Sequence, residues 1–171
     1  PAALEARTGA RVERGPKDLL DIPRWFGDEG PGADLAGYAT RILAEIADAP
    51  LWPVDRLLAQ AEYYRQSGAD VVDLGWLAQG GFPGIEEVLQ ELKARGFVVS
   101  LDTFHREDVL RANRVGFDYL LSVNGTNLEI AREVACQKVV VIPDFGQGLD
   151  SLERNVERLE AWGVPYIIDP V

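Results

Sequence analysis

A chain of 171 residues, 47% of them hydrophobic, has the material for one well-filled core. Its net charge of −11, from 28 acidic and 17 basic side chains with no run of Lys or Arg, argues against nucleic-acid binding and for a solvated acidic surface. One cysteine, Cys136, excludes an internal disulfide framework and fits a reducing, cytoplasmic compartment, and no apolar run approaches the roughly 20 residues of a membrane span.

Residues 1–40 carry Gly9, Gly15, Gly27, Gly30, Gly32 and Gly37 with Pro16, Pro23 and Pro31, a breaker-rich composition that reads as a lead-in arm or linker. Within it, 17–26 has the pattern of a short amphipathic segment. From residue 41 a grammar repeats. A strand over 41–47 leads to Asp48, and Pro53 opens a helix through residue 66, where its missing N–H costs nothing. A strand over 70–74 carries Asp73 and is followed by a loop (75–84) and a helix (85–95). The third strand, 97–101, runs into Asp102 and precedes a helix over 107–115. The fourth, 118–123, runs into Asn124 before a helix over 128–136. The fifth, 138–142, is followed by Pro143, Asp144 and a helix over 149–162. The sixth, 165–169, ends on Asp169.

Four of the helices end at glycine, at Gly68, Gly96, Gly116 and Gly163, the residue that turns left-handed most cheaply. Strand, loop, helix, glycine, strand is the signature of βαβ units on a parallel sheet. The strands are rich in Val, Ile and Leu with little alternation, as strands buried on both faces are, which favours an α/β barrel. An open doubly wound sheet is the alternative, but no Gly-x-Gly-x-x-Gly follows the first strand and no Walker-type Gly-Lys-Ser/Thr occurs. A (β/α)8 TIM-type barrel needs about 250 residues. The expected fold is therefore such a barrel with only about six β/α units present, over 41–171. The absence of methionine points the same way, to a processed or trimmed chain.

In such sheets the loops at the strand C-termini build the site. Asp48, Asp73, Asp102, Asn124, Asp144 and Asp169 are thus expected on one rim. Asp73 either orients Asp102 or is a structural acceptor. Asp144 either faces the site or caps the helix near residue 149; its Asp-Phe-Gly-Gln-Gly loop is no kinase element, since the other kinase motifs are missing. His105, the single histidine, is expected at the helix start or exposed. Cys136 is expected to pack. One His, one Cys and carboxylates without ligand spacing predict no metal centre of the protein's own.

Four short motifs in order now carry a resemblance. Ser67-Gly68-Ala69-Asp70-Val71-Val72-Asp73-Leu74-Gly75 resembles the second-strand motif of dihydropteroate synthases, and Val99-Ser100-Leu101-Asp102-Thr103 their third-strand Ser-Ile-Asp-Thr. Leu121-Ser122-Val123-Asn124-Gly125 is similar to their Ile-Asn-Asp, and Ile167-Ile168-Asp169-Pro170 to their Leu-Asp-Pro-Gly. The resemblance is to the pterin-binding superfamily, nearest its archaeal and methylotroph dihydropteroate-synthase-like group. It implies that Asp102, Asn124 and Asp169 hold the pterin ring, whose amine and ring N–H suit carboxylate acceptors while an Asn serves a mixed edge.

The resemblance further implies a transferase that condenses a dihydropterin with an arylamine in folate or methanopterin-type cofactor synthesis, with Mg²⁺ at a diphosphate. A methyl-pterin:corrinoid methyltransferase, or a non-catalytic pterin-binding scaffold, are the alternatives. The chain departs from the synthases in two loops: Trp76 to Gly84 lacks their Ser-Thr-Arg, and Ala47-Asp48-Ala49-Pro50 replaces their Asn-x-Thr-Pro-Asp-Ser-Phe. The sixth strand is expected to be an exposed edge unless another chain or a further segment covers it.

Overall fold

The structure is a computed structural model and describes residues 40–77 and 80–170. The lead-in arm expected over 1–40 falls, but for Thr40, outside the described residues. From there on, six strands form one all-parallel sheet in chain order: β1 (Leu43–Ile46), β2 (Val71–Gly75), β3 (Val99–Asp102), β4 (Tyr119–Val123), β5 (Lys138–Val141) and β6 (Tyr166–Ile168). Between them run α1 (Val54–Gln66), α2 (Ile85–Ala94), α3 (Arg106–Val115) and α4 (Leu149–Trp162). The β/α arc expected from the sequence is the fold. Each of the four glycines predicted to cap a helix has positive φ; Gly163, at φ 67°, closes α4 by donating its N–H to the Glu160 carbonyl.

The fourth unit differs from expectation. Instead of a helix over 128–136 it has one 3-10 turn, Leu128–Arg132. Asn113 of α3 explains this. Glu133 N still donates to the Ile130 carbonyl at 2.9 Å, but the Asn113 Oδ1 accepts from Ala135 N at 2.8 Å and its Nδ2 donates to the Glu133 carbonyl at 3.2 Å, so the chain beyond the turn is tied to a neighbouring helix.

Nor are the strands apolar on both faces. The register aligns Ile46 with Leu74, Val72 with Val99, Leu74 with Leu101, Leu101 with Leu120 and Leu120 with Val139, a buried face that packs against the helices. A fully buried leucine contributes roughly 1.5–3 kcal/mol, so this face with α1, α2 and α4 is the main store of stability. The opposite face alternates with it and is polar in the middle: Glu45 pairs with Asp73, Asp73 with Ser100, and Ser100 with Tyr119. One layer toward the strand C-termini, Gly75 pairs with Asp102. At the other end, Asp118 accepts from Val99 N (2.9 Å), Lys93 Nζ (3.0 Å) and Gln137 Nε2 (2.9 Å), tying β3, α2 and the approach to β5 together. Asp70 likewise accepts from Ile42 N at 2.8 Å.

β4 carries an irregularity that shapes the site. The register with β5 shifts between Leu120 and Val123, and Ser122 sits there at φ 56°, as the extra residue of a bulge does. Among the described residues β1 and β6 each pair on one side only, and Leu43, Ile167 and Ile168 on them are exposed.

Candidate functional site

Glu45, Asp73 and Asp102 come from three successive strands, and their carboxylate oxygens lie within 4.8 Å of one another. Backbone geometry explains the gathering. Asp73 is beside Glu45 in the β1–β2 register, while Gly75, two residues on, is beside Asp102. The Glu45 side chain lies over Gly75, in space that any Cβ there would fill, and so reaches the layer of Asp102. Ser100 Oγ donates to Asp73 Oδ1 at 2.6 Å, the one neutral partner given to this buried carboxylate.

Burial raises the Asp73 pKa from 3.8 to about 6; the Ser100 bond opposes the rise, and the Asp102 and Glu45 charges add to it. Asp73 is thus part-protonated close to neutral pH, as carboxylates sharing one pocket are. Three carboxylates at this spacing are also a hard-oxygen donor set of the kind Mg²⁺ takes. The linear sequence shows no ligand spacing because the spacing is made across strands.

Above the cluster opens a cleft of about 370 Å³ lined by Glu45, Asp48, Asp102, Trp76, Phe104 and Ser122 among others, with no Lys or Arg in its wall among the described residues. Asp48 enters from the loop after β1, at φ 52°. The loop after β2 is fixed by α3. Asp108 accepts from Phe82 N at 2.5 Å, Arg111 donates to the Phe82 and Pro83 carbonyls, and the Trp76 and Phe82 rings meet edge-on at 5.4 Å. His105 is the helix-start residue expected: its Nδ1 accepts from Asp108 N and stands 3.0 Å from the Asp108 carboxylate, so it serves the loop and not the cleft.

The remaining predicted residues lie elsewhere. Asn124 follows β4 but is fully buried; its Oδ1 accepts from Thr126 N (2.9 Å) and Thr126 Oγ1 (2.6 Å), while its Nδ2 is buried without a partner. Trp76 Nε1, on a cleft-lining residue, is the other such orphan among the described residues. Asp144 neither lines the acidic cleft nor caps α4. Its Oδ1 accepts from Gly125 N (2.6 Å) and Asn155 Nδ2 (2.8 Å), which hold its pKa below the usual carboxylate range, and its N donates to Ser151 Oγ. Asp169 is exposed just after β6, its N donating to the Val141 carbonyl at 2.9 Å, and is not in the wall of the acidic cleft. Cys136 is half-buried, with its thiol pKa raised by burial.

Sequence reasoning missed Glu45, Ser100 and Gly75. The signal was alternation: Leu43, Glu45 and Val71, Asp73, Gly75 alternate with the helix-facing residues, and treating each strand as one apolar run conceals it.

An arc of parallel β/α units with a carboxylate cluster at its mouth is the class this fold and site define: the chain has a dihydropteroate-synthase-like fold. No family model matches the sequence. Among solved structures, the dihydropteroate synthase of Vibrio fischeri superposes with a TM-score of 0.63 at 18% identity, over 77% of this chain and 61% of that one. The Thermus thermophilus enzyme gives 0.59 at 25% identity, over 76% and 58%. The Burkholderia cenocepacia enzyme, crystallised with 7,8-dihydropteroate, gives 0.61 at 18% identity, over 78% and 59%. A curated relative is an uncharacterized protein of Methanocaldococcus jannaschii, 29% identical over 152 residues that cover 78% of this chain. The chain spans only 29% of that protein's length and about three fifths of these synthases.

Proposed function

We propose that this chain binds the N–H-bearing edge of a reduced pterin at the acidic mouth and is part of a transferase acting at that pterin. The observation that carries the proposal is the Glu45–Asp73–Asp102 cluster, opening on a cleft whose described wall holds no basic residue, toward the strand C-termini of a dihydropteroate-synthase-like fold. A pterin presents an exocyclic amine and ring N–H groups, donors that charged carboxylates accept strongly. Bonds made where the cleft wall shields them from water are worth more than in water, and leaving a buried partner unmade costs about 1–3 kcal/mol. Synthases of this fold have been crystallised with 7,8-dihydropteroate and with 6-hydroxymethylpterin-monophosphate.

In this reading Asp102 and Glu45, which line the cleft, accept from the ring, while Asp73, buried beside them with its pKa of about 6, sets the charge of the cluster near neutral pH. Asn124 and Asp169 complete the pterin contacts only if the β4 and β6 loops turn their side chains to the mouth. The reaction is the joining of a dihydropterin to an arylamine, as in folate or methanopterin-type cofactor synthesis. A diphosphate leaving group would meet like charge here. The donor set fits Mg²⁺, which Glu45, Asp73 and Asp102 would hold and which would neutralise that charge.

Calorimetric titration with 6-hydroxymethylpterin tests the proposal. Saturable binding at about 1:1, weakened in Asp102→Asn, is the expected result. No heat from a protein shown to be folded would overturn it.

A further inference from the structure

The exposed large apolar side chains of the described residues are not scattered. Apart from Tyr63 and those at the two sheet edges, all of them stand on loops or helix starts at the strand C-termini: Leu51, Leu77, Phe104, Phe145 and Leu149. Two are phenylalanines that find each other. Phe104 follows β3 by two residues and Phe145 follows β5 by four, and their rings meet at 5.9 Å with a 51° tilt, across the bulged end of β4. Phe104 is 38% and Phe145 74% exposed, so the contact leaves most of the Phe145 ring in water. Phe104 also lines the acidic cleft, and it lines a second cavity of about 240 Å³ beside Thr126 and Leu128.

We infer that Phe104, backed by Phe145, forms a stacking platform that selects a flat, nitrogen-rich aromatic ring, one whose N–H edge reaches Asp102 and Glu45 while its face lies on Phe104 and the tilted Phe145 ring borders it. This deepens the pterin reading and rests on it for the ligand's edge. The reasoning is electrostatic and geometric. A carboxylate cluster alone cannot tell a small cation such as guanidinium or Mg²⁺ from a heterocycle, because both satisfy negative charge. The exposed Phe104 face at this cleft, with Phe145 beside it at the neighbouring cavity, rewards a ligand that covers apolar area and offers a π-face or polarised ring edge, which a bare metal ion lacks. A cationic or N–H-polarised ring gains further from a phenyl face. The platform bridges the β3 and β5 loops, so it also sets the depth to which a ring can enter.

The experiment compares three probes by calorimetry on wild type, Phe104→Ala, Phe104→Leu and Phe145→Ala, with thermal melts as the folding control. The probes are 6-hydroxymethylpterin, 2-aminobenzimidazole as a different flat amine, and Mg²⁺ as a cation without a ring. Each Ala variant should weaken 6-hydroxymethylpterin about tenfold. Phe104→Leu, which keeps bulk but loses the ring, should fall between, and Mg²⁺ should stay within twofold throughout. If wild type binds the pterin and no variant shifts it by more than twofold, the platform is wrong and the pterin reading survives. If the pterin fails but 2-aminobenzimidazole binds in a Phe104-dependent way, the pterin reading falls and the platform stands. Binding of neither flat ring, or equal losses for Mg²⁺, overturns the platform.

Discussion

The Glu45 carboxylate occupies the space in front of Gly75 that a Cβ would fill, and this brings it level with Asp102 on the next strand but one. Gly75→Ala would push the Glu45 carboxylate aside. The obstructed atoms are the far end of a flexible side chain, so the fold should tolerate the change, with a melting temperature within about 4 °C of wild type, equivalent to a loss under about 1 kcal/mol. Affinity for 6-hydroxymethylpterin should fall several-fold. Unchanged affinity in calorimetry would show that Glu45 does not face the ligand.

Asp73 gives the protein a pH dependence of unusual sign. Its folded pKa, about 6, lies above its ordinary 3.8, so the folded state holds a proton that the unfolded chain has lost over that interval. Stability from this group is therefore full below about pH 4 and declines as pH rises toward and past 6, by at most roughly 3 kcal/mol. Asp73→Asn removes the titration. In urea melts the variant should gain on wild type by roughly 1–3 kcal/mol at pH 7.5 and by much less at pH 4.5. An equal difference at both pH values would contradict the coupling of Asp73 to burial and to its acidic neighbours.

Asp144 should behave in the opposite way. Bonds from Asn155 and Gly125 lower its pKa, so what it contributes is present above the ordinary carboxylate range and disappears as pH falls through the lowered value. Asp144→Ala leaves Gly125 N and Asn155 Nδ2 without this acceptor and should cost about 1 kcal/mol at pH 7. The cost should shrink in acid, a trend that urea melts at pH 3 and pH 7 would reveal or refute.

Asp102→Asn keeps shape but turns an acceptor-only group into one that also donates. Affinity for 6-hydroxymethylpterin should drop at least about tenfold, or roughly 1.4 kcal/mol, with the circular dichroism spectrum unchanged. A variant that binds as well as wild type would place the ligand elsewhere.

The order and type of the elements were legible because the sequence repeats one local rule: Gly68, Gly96, Gly116 and Gly163 stop segments where helices end, and apolar strand residues follow. That no helix forms over 128–136 was not legible, since the side chain that competes for its backbone, Asn113, lies on the preceding helix. Asp102 was legible as a site residue because it ends a strand. Glu45 was not, since its role depends on a gap at Gly75 in the neighbouring strand, a fact about register. Asp144 and Asn124 were placed correctly after their strands, but position after a strand does not say whether a side chain turns to the mouth or to the loops beside it.

The acids of the arc fall into two populations with separate genetic signatures. Asp70 and Asp118, toward the strand N-termini, are matched by backbone N–H groups, and Asp118 also by Lys93 and Gln137. Among the described residues, the cluster at the mouth is met by Ser100, whose bond reaches only Asp73. A mutant library scored for soluble yield should therefore discard replacements at Asp118 and accept, even enrich, neutral residues at Asp73. The same library scored for ligand capture should reverse that ranking, so comparing the two selections would map the mouth without a bound structure.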